Sequence, residues 1–436
     1  MRTLLALAAL CWAPALAAAS PAPRDCPADV GPGISCFGAQ DANGAHVLIA
    51  RPAQWNGALV VHIHGGPRLA APSARTSEED LVRFVETVRE GYAWVATSRR
   101  RAGFGASQGA EDADNARRLY IEAFGRPRIT IVHGQSWGGA VAAMLIERFN
   151  DPGPDGRRPY DGALLTAGVL AGGTRAYDMR MDLRAVFQAV CGTHPARDEA
   201  QYHLGLGLPA GANLPRAELQ SRFNACTGAN RPAGERTPEQ ARALSDLAAA
   251  TGIAPGNLFG ALAWATFQFR TIAENVTDGR PAFGNEGVRY RGTSDDEGLN
   301  ARVPRFAADP AAVARLAEDS NPTGRIAIPV LSMHAIRDQV VFVESQRVYR
   351  DAVAAAGNAE RLVQVFVDES AHSKVSPPHY PALFEALRRW VEQGQRPEVA
   401  AVAQLCEEAR ARHPGECRFV PGFEPQPWES RVRPGG

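Results

Sequence analysis

The chain has 436 residues, of which 45% are hydrophobic and 22% charged, and its 47 basic and 47 acidic residues give a formal net charge of zero. This composition predicts a globular protein with one large domain and a sizeable insertion, or with two domains. A net charge of zero gives no basis for predicting a nucleic-acid partner or attachment to an anionic membrane.

Residues 1–19 are typical of a secretory signal. Arg2 supplies the positive start, an apolar run follows from Leu4 to Trp12, and Ala17 and Ala19 provide a small-residue cleavage pattern. The apolar run is too short to span a bilayer, and we predict no stable membrane anchor in the rest of the chain. We expect cleavage near residues 17–19 and a mature protein in the periplasm or outside the cell.

The cysteines agree with export. Cys11 leaves with the signal, and an even number remains: Cys26, Cys36, Cys191, Cys226, Cys406 and Cys417. An even number in an exported protein indicates disulfides, although sequence alone leaves several pairings open. The positions favour three local pairs, 26 with 36, 191 with 226 and 406 with 417. The chain has no Cys-x-x-Cys motif, so we predict no metal or redox chemistry at cysteine.

The first half of the chain alternates predicted strands and helices. Residues 20–33 are rich in Pro, Ala and Gly and predict an N-terminal arm. Ser77 is the predicted N-cap of a helix that ends at about Glu90, because acidic residues follow it in the first turn. Apolar runs predict strands at 45–52, 58–63, 93–97, 129–132 and 162–170, and helices are predicted at 110–124 and 140–148.

The alternation stops between residues 172 and 325, where helical patterns at 179–190, 238–251 and 257–272 are mixed with many Pro and Gly residues. We predict that this segment is an inserted cap over the carboxyl edge of the sheet. Strands at 328–334 and 362–367 and helices at 343–356 and 380–393 follow. The predicted organisation is a core in two parts, 20–171 and 326–436 with a C-terminal extension, separated by the cap. Such alternation predicts an α/β fold with a mostly parallel sheet covered by helices on both faces.

The motif Gly134-Gln135-Ser136-Trp137-Gly138 lies between a predicted strand and a predicted helix. A turn this sharp needs glycine beside the apical serine, because side chains there would collide with neighbouring backbone. The same pentapeptide also occurs as an ordinary glycine-rich loop. The flanking strand and helix favour Ser136 as a nucleophile.

Two further residues follow strand ends at the same predicted edge. Asp338 comes after the strand at 328–334, and His372 comes after the strand at 362–367. A serine hydroxyl becomes nucleophilic when an imidazole takes its proton, and an acid must orient that imidazole. Asp368 and Glu369 are alternative acids, but they directly end the preceding strand, so we prefer Asp338. His62 and His133 lie inside strands and are predicted to be buried residues near the site.

These residues resemble the α/β-hydrolase superfamily over about residues 45–393. The resemblance rests on His64-Gly65-Gly66-Pro67, the Ser136 motif, and the Asp338 and His372 loops, in the order Ser, Asp, His. It implies Ser136 as nucleophile, His372 as base and Asp338 as acid. It also implies an oxyanion hole formed by the backbone N–H of Trp137 and of Gly65 or Gly66.

The sequence predicts the type of reaction more clearly than it predicts the substrate. The motifs are similar to those of esterases and of prolyl aminopeptidases, so we predict a serine hydrolase that cleaves a carboxylic ester, with an N-terminal peptide bond as the alternative. A non-catalytic binding relative of the fold is a third possibility. An aminopeptidase would need a carboxylate for the substrate ammonium, and the candidate acids of the cap are Glu199, Glu218, Glu274, Asp295, Asp296 and Glu297.

The apolar segment 258–269 of the predicted cap has two interpretations. It either packs the cap onto the core, which we prefer, or lines an apolar part of the substrate site. No metal or organic cofactor is implied, the only predicted partner is the small-molecule or peptide substrate, and the sequence makes no prediction of oligomeric state.

Overall fold

The computed structural model describes residues 20–432, and a sheet of nine strands lies at the centre of this range. The predicted signal at 1–19 lies outside the described residues. In chain order the strands are β1 Ala22–Arg24, β2 Ile34–Gln40, β3 His46–Pro52, β4 Ala58–Ile63, β5 Ala93–Thr97, β6 Ile129–Gln135, β7 Gly162–Thr166, β8 Val330–Ala335 and β9 Leu362–Val367.

The spatial order of the strands is β1-β2-β3-β5-β4-β6-β7-β8-β9. The pairs β1–β2, β2–β3 and β3–β5 are antiparallel. All pairs from β5 across to β9 are parallel. The mostly parallel sheet that the sequence predicts is therefore confirmed, and the carboxyl ends of β4 to β9 meet at one edge.

The described part of the chain contains fourteen α-helices. They are α1 Arg75–Arg83, α2 Glu86–Arg89, α3 Ala106–Phe124, α4 Trp137–Arg148, α5 Asp178–Cys191, α6 Arg216–Thr227, α7 Pro238–Thr251, α8 Leu258–Asn275, α9 Asp296–Arg302, α10 Pro310–Ser320, α11 Ser345–Ala355, α12 His379–Gln393, α13 Val399–Ala409 and α14 Trp428–Arg431.

The sheet is buried on both faces because successive residues of a strand point to opposite sides. In β4, Val61 belongs to one hydrophobic core, which it shares with α3 and α4 residues such as Ala113 and Val141. The next residue back, Val60, belongs to the other core, which includes Leu383 of α12. This alternation explains why every residue of β4 and β6 is buried.

Several predicted boundaries are wrong for local reasons. The helix predicted from Ser77 to Glu90 begins at Arg75 and breaks at Phe84, whose φ of −113° and ψ of 37° are not helical, before α2 resumes. Ser77 is buried inside α1 and caps nothing, since the N-cap is Ala74. The strand predicted to reach residue 170 ends at Thr166, because Ala167 has a φ of 47°. Strands β1 and β2 and helix α13 were not predicted.

Helices α5 to α10 form one insertion between β7 and β8. Helix α8 contacts the loops at the carboxyl ends of β4 and β5: Gln268 donates to the carbonyl of Pro67 at 2.5 Å, and Asn275 donates to the carbonyls of Ala102 at 3.1 Å and Phe104 at 2.9 Å. Near the return to the sheet, Asp319 accepts hydrogen bonds from the first backbone N–H groups of α3. The insertion is thus attached to the edge of the sheet that the site residues occupy.

Three disulfides join the cysteines in the pairs that their positions favour: Cys26–Cys36, Cys191–Cys226 and Cys406–Cys417. The first connects β2 to the segment before it, the second connects α5 to α6 within the insertion, and the third connects α13 to the segment after it. Within residues 20–432 no single helix is long and apolar enough to cross a membrane, although the bent pair 238–251 and 255–275 passes by length and composition.

Candidate active site

Ser136 lies on the turn between β6 and α4, where the backbone is in an unusual conformation. Its φ of 58° and ψ of −125° are strained for a residue with a side chain. The turn is closely packed, since a Cβ on Gly134 would lie 2.2 Å from the carbonyl oxygen of Gly138, and a Cβ on Gly138 would lie 2.2 Å from that of Ile63. The glycines are therefore required by the sharp turn, as the sequence predicts.

The structure brings His372 and Asp338 to this serine. Oγ of Ser136 lies 2.7 Å from Nε2 of His372, and Nδ1 of His372 lies 2.7 Å from Oδ2 of Asp338. Nδ1 must carry the proton that the carboxylate accepts, so Nε2 is free to accept the hydroxyl proton of the serine. His372 and Asp338 lie on the loops after β9 and β8, as the sequence predicts.

Asp338 is fixed by its own loop. Its Oδ1 accepts hydrogen bonds from the backbone N–H groups of Val340 at 2.8 Å and Val341 at 3.1 Å. His334 packs behind it and accepts at Nδ1 from the side chain of Gln346, so its Nε2 donates to the carbonyl of Val341 at 2.9 Å. Burial lowers the pKa of His334, which favours this neutral form. The carboxylate therefore has a fixed orientation toward His372.

The alternative acids are engaged elsewhere. Asp368 pairs with Arg337 at the surface, and Glu369 accepts a hydrogen bond from the backbone N–H of Ser376 at 3.1 Å. Only Asp338 among the three contacts the imidazole of His372.

The loop after β4 approaches the serine closely. A Cβ on Gly65 would lie 3.2 Å from Cβ of Ser136 and 2.3 Å from Oε1 of Gln135, so a larger residue would require the Gln135 side chain or the loop to shift. Trp137 is the first residue of α4, where a backbone N–H has no partner within the helix. The predicted oxyanion-hole residues Gly65, Gly66 and Trp137 all line the cavity that contains Ser136.

Arg99 supports this loop, and the sequence did not single it out. Its guanidinium donates to the carbonyls of His64 at 2.7 Å and Gly66 at 3.4 Å, and it lies 4.1 Å over the ring of Trp137. Burial lowers the pKa of Arg99 to about 9, so it remains a cation at neutral pH. One buried side chain thus contacts both segments that would supply the oxyanion donors.

Gln135 links the Ser136 turn to the loop that carries His372. Its Nε2 donates to the carbonyl of His372 at 3.1 Å, and the side chain is buried. The residue lies inside the Gly134–Gly138 motif, but sequence alone does not show what an amide at that position contacts.

A cavity of about 360 Å³ opens onto Ser136 and His372. The insertion supplies part of its wall: Tyr177 and Trp264 stack with ring centroids 4.1 Å apart, and Arg180 lies beside them. The loop residues Val340 and Val341 also line the cavity. In the apolar segment 258–269, Leu262, Ala263 and Phe269 are buried, which fits the packing interpretation, whereas Trp264 lines the cavity.

Among the described residues that line the cavity there is no aspartate or glutamate. The candidate acids of the insertion face elsewhere: Glu199 and Glu218 pair with Arg222, Glu274 pairs with Arg270, and Asp295 pairs with Arg302. Asp296 accepts from the backbone N–H of Thr293 and also lies outside the cavity wall, as does Glu297. None of the described lining residues thus supplies the carboxylate that an aminopeptidase would need.

The two strand histidines form a buried chain beneath the site. His62 contacts Asp80 at 3.0 Å and His133 at 3.1 Å, and His133 contacts the hydroxyl of Thr166 at 3.1 Å. Burial lowers the pKa of His133 well below its ordinary value. These side chains are part of the interior, as predicted, and neither contacts His372. Within residues 20–432 no cluster of three or more His, Cys, Asp or Glu side chains is placed to hold a metal ion.

No protein-family profile matches the chain, and no curated protein sequence matches it. Solved structures with a similar backbone include feruloyl esterase B from Aspergillus oryzae (16% identity, 84% of this chain and 82% of that one, TM-score 0.41). They also include Candida antarctica lipase A in its closed state (11%, 89% and 90%, TM-score 0.45) and tannin acyl hydrolase from Aspergillus niger (13%, 87% and 82%, TM-score 0.40).

The strand order identifies the fold without reliance on those similarities. The sheet begins with antiparallel strands, β5 lies between β3 and β4, and the strands from β5 to β9 are parallel. In this order the Ser136 turn follows a central strand, and the loops with Asp338 and His372 follow β8 and β9. The chain therefore has the α/β-hydrolase fold.

Proposed function

We propose that the protein is an exported serine hydrolase that cleaves a carboxylic ester through an acyl-enzyme on Ser136. The observation that carries this proposal is the continuous contact from Oγ of Ser136 through His372 to Asp338, with both distances at 2.7 Å. A serine, an imidazole and a buried carboxylate in this relation are what nucleophilic attack on a carbonyl requires.

In the first step His372 takes the proton of Ser136 as Oγ attacks the ester carbonyl. The Asp338 carboxylate stabilises the imidazolium that forms, and His372 then gives its proton to the departing alcohol. Water attacks the acyl-enzyme by the same route, with His372 as base, and the acid is released.

The negative charge on the tetrahedral oxygen would be stabilised by the N–H of Trp137 and by that of Gly65 or Gly66. The positive end of α4 favours the same charge, since Ser136 is the N-cap of that helix. By analogy with other serine hydrolases each such donor contributes about 3 kcal/mol to the transition state.

The cavity supports an ester over an N-terminal peptide bond. An aminopeptidase selects its substrate by pairing a carboxylate with the free ammonium, and the described lining contains arginine but no acid. The contact between Ser136 and His372 likewise favours an enzyme over a binding relative of the fold. The three disulfides support export to an oxidising compartment.

The test compares Ser136→Ala with Ser373→Ala, which removes a second serine from the same cavity. Hydrolysis of p-nitrophenyl butyrate and labelling by a fluorophosphonate should disappear in the first variant and persist in the second. Labelling of Ser136→Ala at the wild-type rate would contradict the proposal. Aminoacyl arylamides, assayed in parallel, should be poor substrates.

A further inference from the structure

Arg180 is a buried arginine at the wall of the candidate active-site cavity. It lies in the first turn of α5, where Tyr177 is the N-cap, and only 7% of its surface is exposed. One guanidinium nitrogen, Nη2, donates to the carbonyl of Val340 at 3.3 Å. The other two, Nε and Nη1, have no hydrogen-bond partner.

The other arginines of the cavity are already paired with acids. Arg68 donates to Glu79 at 2.8 Å, and Arg83 donates to Asp80 at 2.9 Å. Arg180 has no carboxylate partner, and the described lining contains no acidic residue that could supply one. The cavity wall therefore has an unbalanced positive charge that belongs to Arg180.

Aromatic rings hold this cation in place without neutralising it. The guanidinium carbon lies 4.3 Å over Trp264 and 5.1 Å over Tyr177. Burial lowers the pKa of Arg180 to about 10, and the charge persists at neutral pH. A buried guanidinium with unused donors is costly, and a charged acceptor would remove that cost.

We propose that Arg180 binds a carboxylate on the substrate, so that the preferred ester is anionic. The carboxylate supplies the missing counter-charge and accepts charge-assisted hydrogen bonds from the guanidinium. This inference rests on the proposed ester hydrolysis and names its substrate class. The carboxylate can belong to the acyl part or to the alcohol part, and the experiment separates the two.

Matched ester pairs test the inference. For the acyl part, mono-4-nitrophenyl adipate is compared with 4-nitrophenyl hexanoate. For the alcohol part, 4-acetoxybenzoate is compared with its methyl ester. In at least one pair the wild-type kcat/KM should be higher for the anion by about tenfold or more, which is the range of a charge-assisted hydrogen bond.

Arg180→Gln should abolish that preference by raising KM for the anion, with the neutral ester of the same pair changed less than threefold. Arg180→Lys should restore part of the preference because it keeps the charge. The control is Arg175→Gln, which removes the same charge from an exposed residue of the same segment and should leave both rates unchanged. A preference in neither pair, or an equal loss for the anionic and the neutral ester in Arg180→Gln, would overturn the inference.

Inhibition of the wild-type protein by product analogues gives a second readout that needs no variant. The anion adipamate should inhibit hydrolysis of 4-nitrophenyl hexanoate at concentrations at least tenfold lower than neutral hexanamide does, or 4-hydroxybenzoate should do so relative to its methyl ester. Equal inhibition within both pairs contradicts a carboxylate site even if Arg180→Gln does not fold. If Ser136→Ala keeps full activity, the proposed function is wrong; if Ser136→Ala is inactive but the ester pairs show no preference, only the carboxylate site is wrong.

Discussion

Nδ1 of His372 lies 2.7 Å from Oδ2 of Asp338, whose other oxygen is held by two backbone N–H groups of its own loop. The carboxylate is held in place by its own loop, and it therefore fixes both the orientation and the tautomer of the imidazole. This contact distinguishes Asp338 from the acids that lie nearer to His372 along the chain.

Asp338→Asn should lower kcat by about 1,000- to 10,000-fold, because an amide stabilises the wrong tautomer of the imidazole and cannot stabilise the imidazolium. The measurement is the kcat for p-nitrophenyl butyrate at pH 7.5, with folding checked by thermal melting. Asp368→Asn is the control and should stay within threefold of wild type, since Asp368 pairs with Arg337. The roles are reversed if Asp368→Asn shows the larger loss.

Gly65→Ala should reduce kcat by at least about tenfold with a smaller change in KM. The added methyl would lie 2.3 Å from Oε1 of Gln135 and 3.2 Å from Cβ of Ser136. Either the loop shifts its N–H groups, or the Gln135 side chain shifts and loses its hydrogen bond to the carbonyl of His372. Gly260→Ala is the matched change in open space on α8, and it should leave kcat unchanged while gaining up to about 1 kcal/mol of stability. An unchanged kcat in Gly65→Ala would argue against this loop as part of the oxyanion hole.

Removal of the disulfide in the insertion, by Cys191→Ser with Cys226→Ser, should cost about 2–4 kcal/mol of unfolding free energy. The Cys191–Cys226 disulfide joins residues that are 35 positions apart in the sequence, whereas the cysteines of Cys26–Cys36 are 10 positions apart. On loop entropy alone, the corresponding change at 26 and 36 should cost about 1 kcal/mol less. Urea unfolding of the two double variants checks both values, and no difference from wild type would show that the bonds do not form.

Glu90 should make the unfolding free energy of the protein depend on pH. Burial by itself raises the pKa of Glu90, but hydrogen bonds from His413 and Arg412 outweigh it and lower the pKa from 4.5 to about 2. A depressed folded-state pKa stabilises the protein above the unfolded value and loses that effect as pH falls toward 2. Glu90→Gln should therefore be less stable than wild type by about 2 kcal/mol at pH 7, with the gap closing below about pH 4.5.

The control for this titration is Glu122→Gln, at an exposed residue of α3. Surface substitutions usually change stability by less than about 0.5 kcal/mol, so this variant should unfold with nearly the same free energy as wild type at pH 7. A gap for Glu90→Gln that persists unchanged at pH 2 would show that the carboxylate charge is not its source.

Residues whose chemistry depends on local sequence could be predicted, and residues whose role depends on remote partners could not. The period of apolar residues predicts β4, β5, β9 and α7 at the bounds that the structure gives. Ser136, Asp338 and His372 each follow a predicted strand, in the order Ser, Asp, His, and this order identifies them as candidate site residues from the sequence alone. Arg99 and Arg180 are indistinguishable in sequence from the many surface arginines, because burial and the absence of an acid partner appear only when distant segments pack.

The ends of helices and strands were predicted wrongly where tertiary contacts override the local conformational preference. Serine is a residue type that often caps helices, but Ser77 lies inside α1 and is buried. Strand β1 has little intrinsic strand character and exists because it pairs with β2, to which Cys26 and Cys36 also attach it. Neither outcome can be inferred from a window of neighbouring residues.

The attachment of α8 to the sheet has a consequence for protein engineering. Gln268 and Asn275 anchor loops that follow β4 and β5, and Trp264 and Arg180 close one side of the cavity. A shortened protein made by excising the insertion would retain Ser136, His372 and Asp338. It would lose the hydrogen bond from Gln268 to the loop after β4, and Ser136 would be open to bulk water. The insertion is thus not a detachable module, and chimeras that exchange it for another should exchange the loop at 64–72 with it.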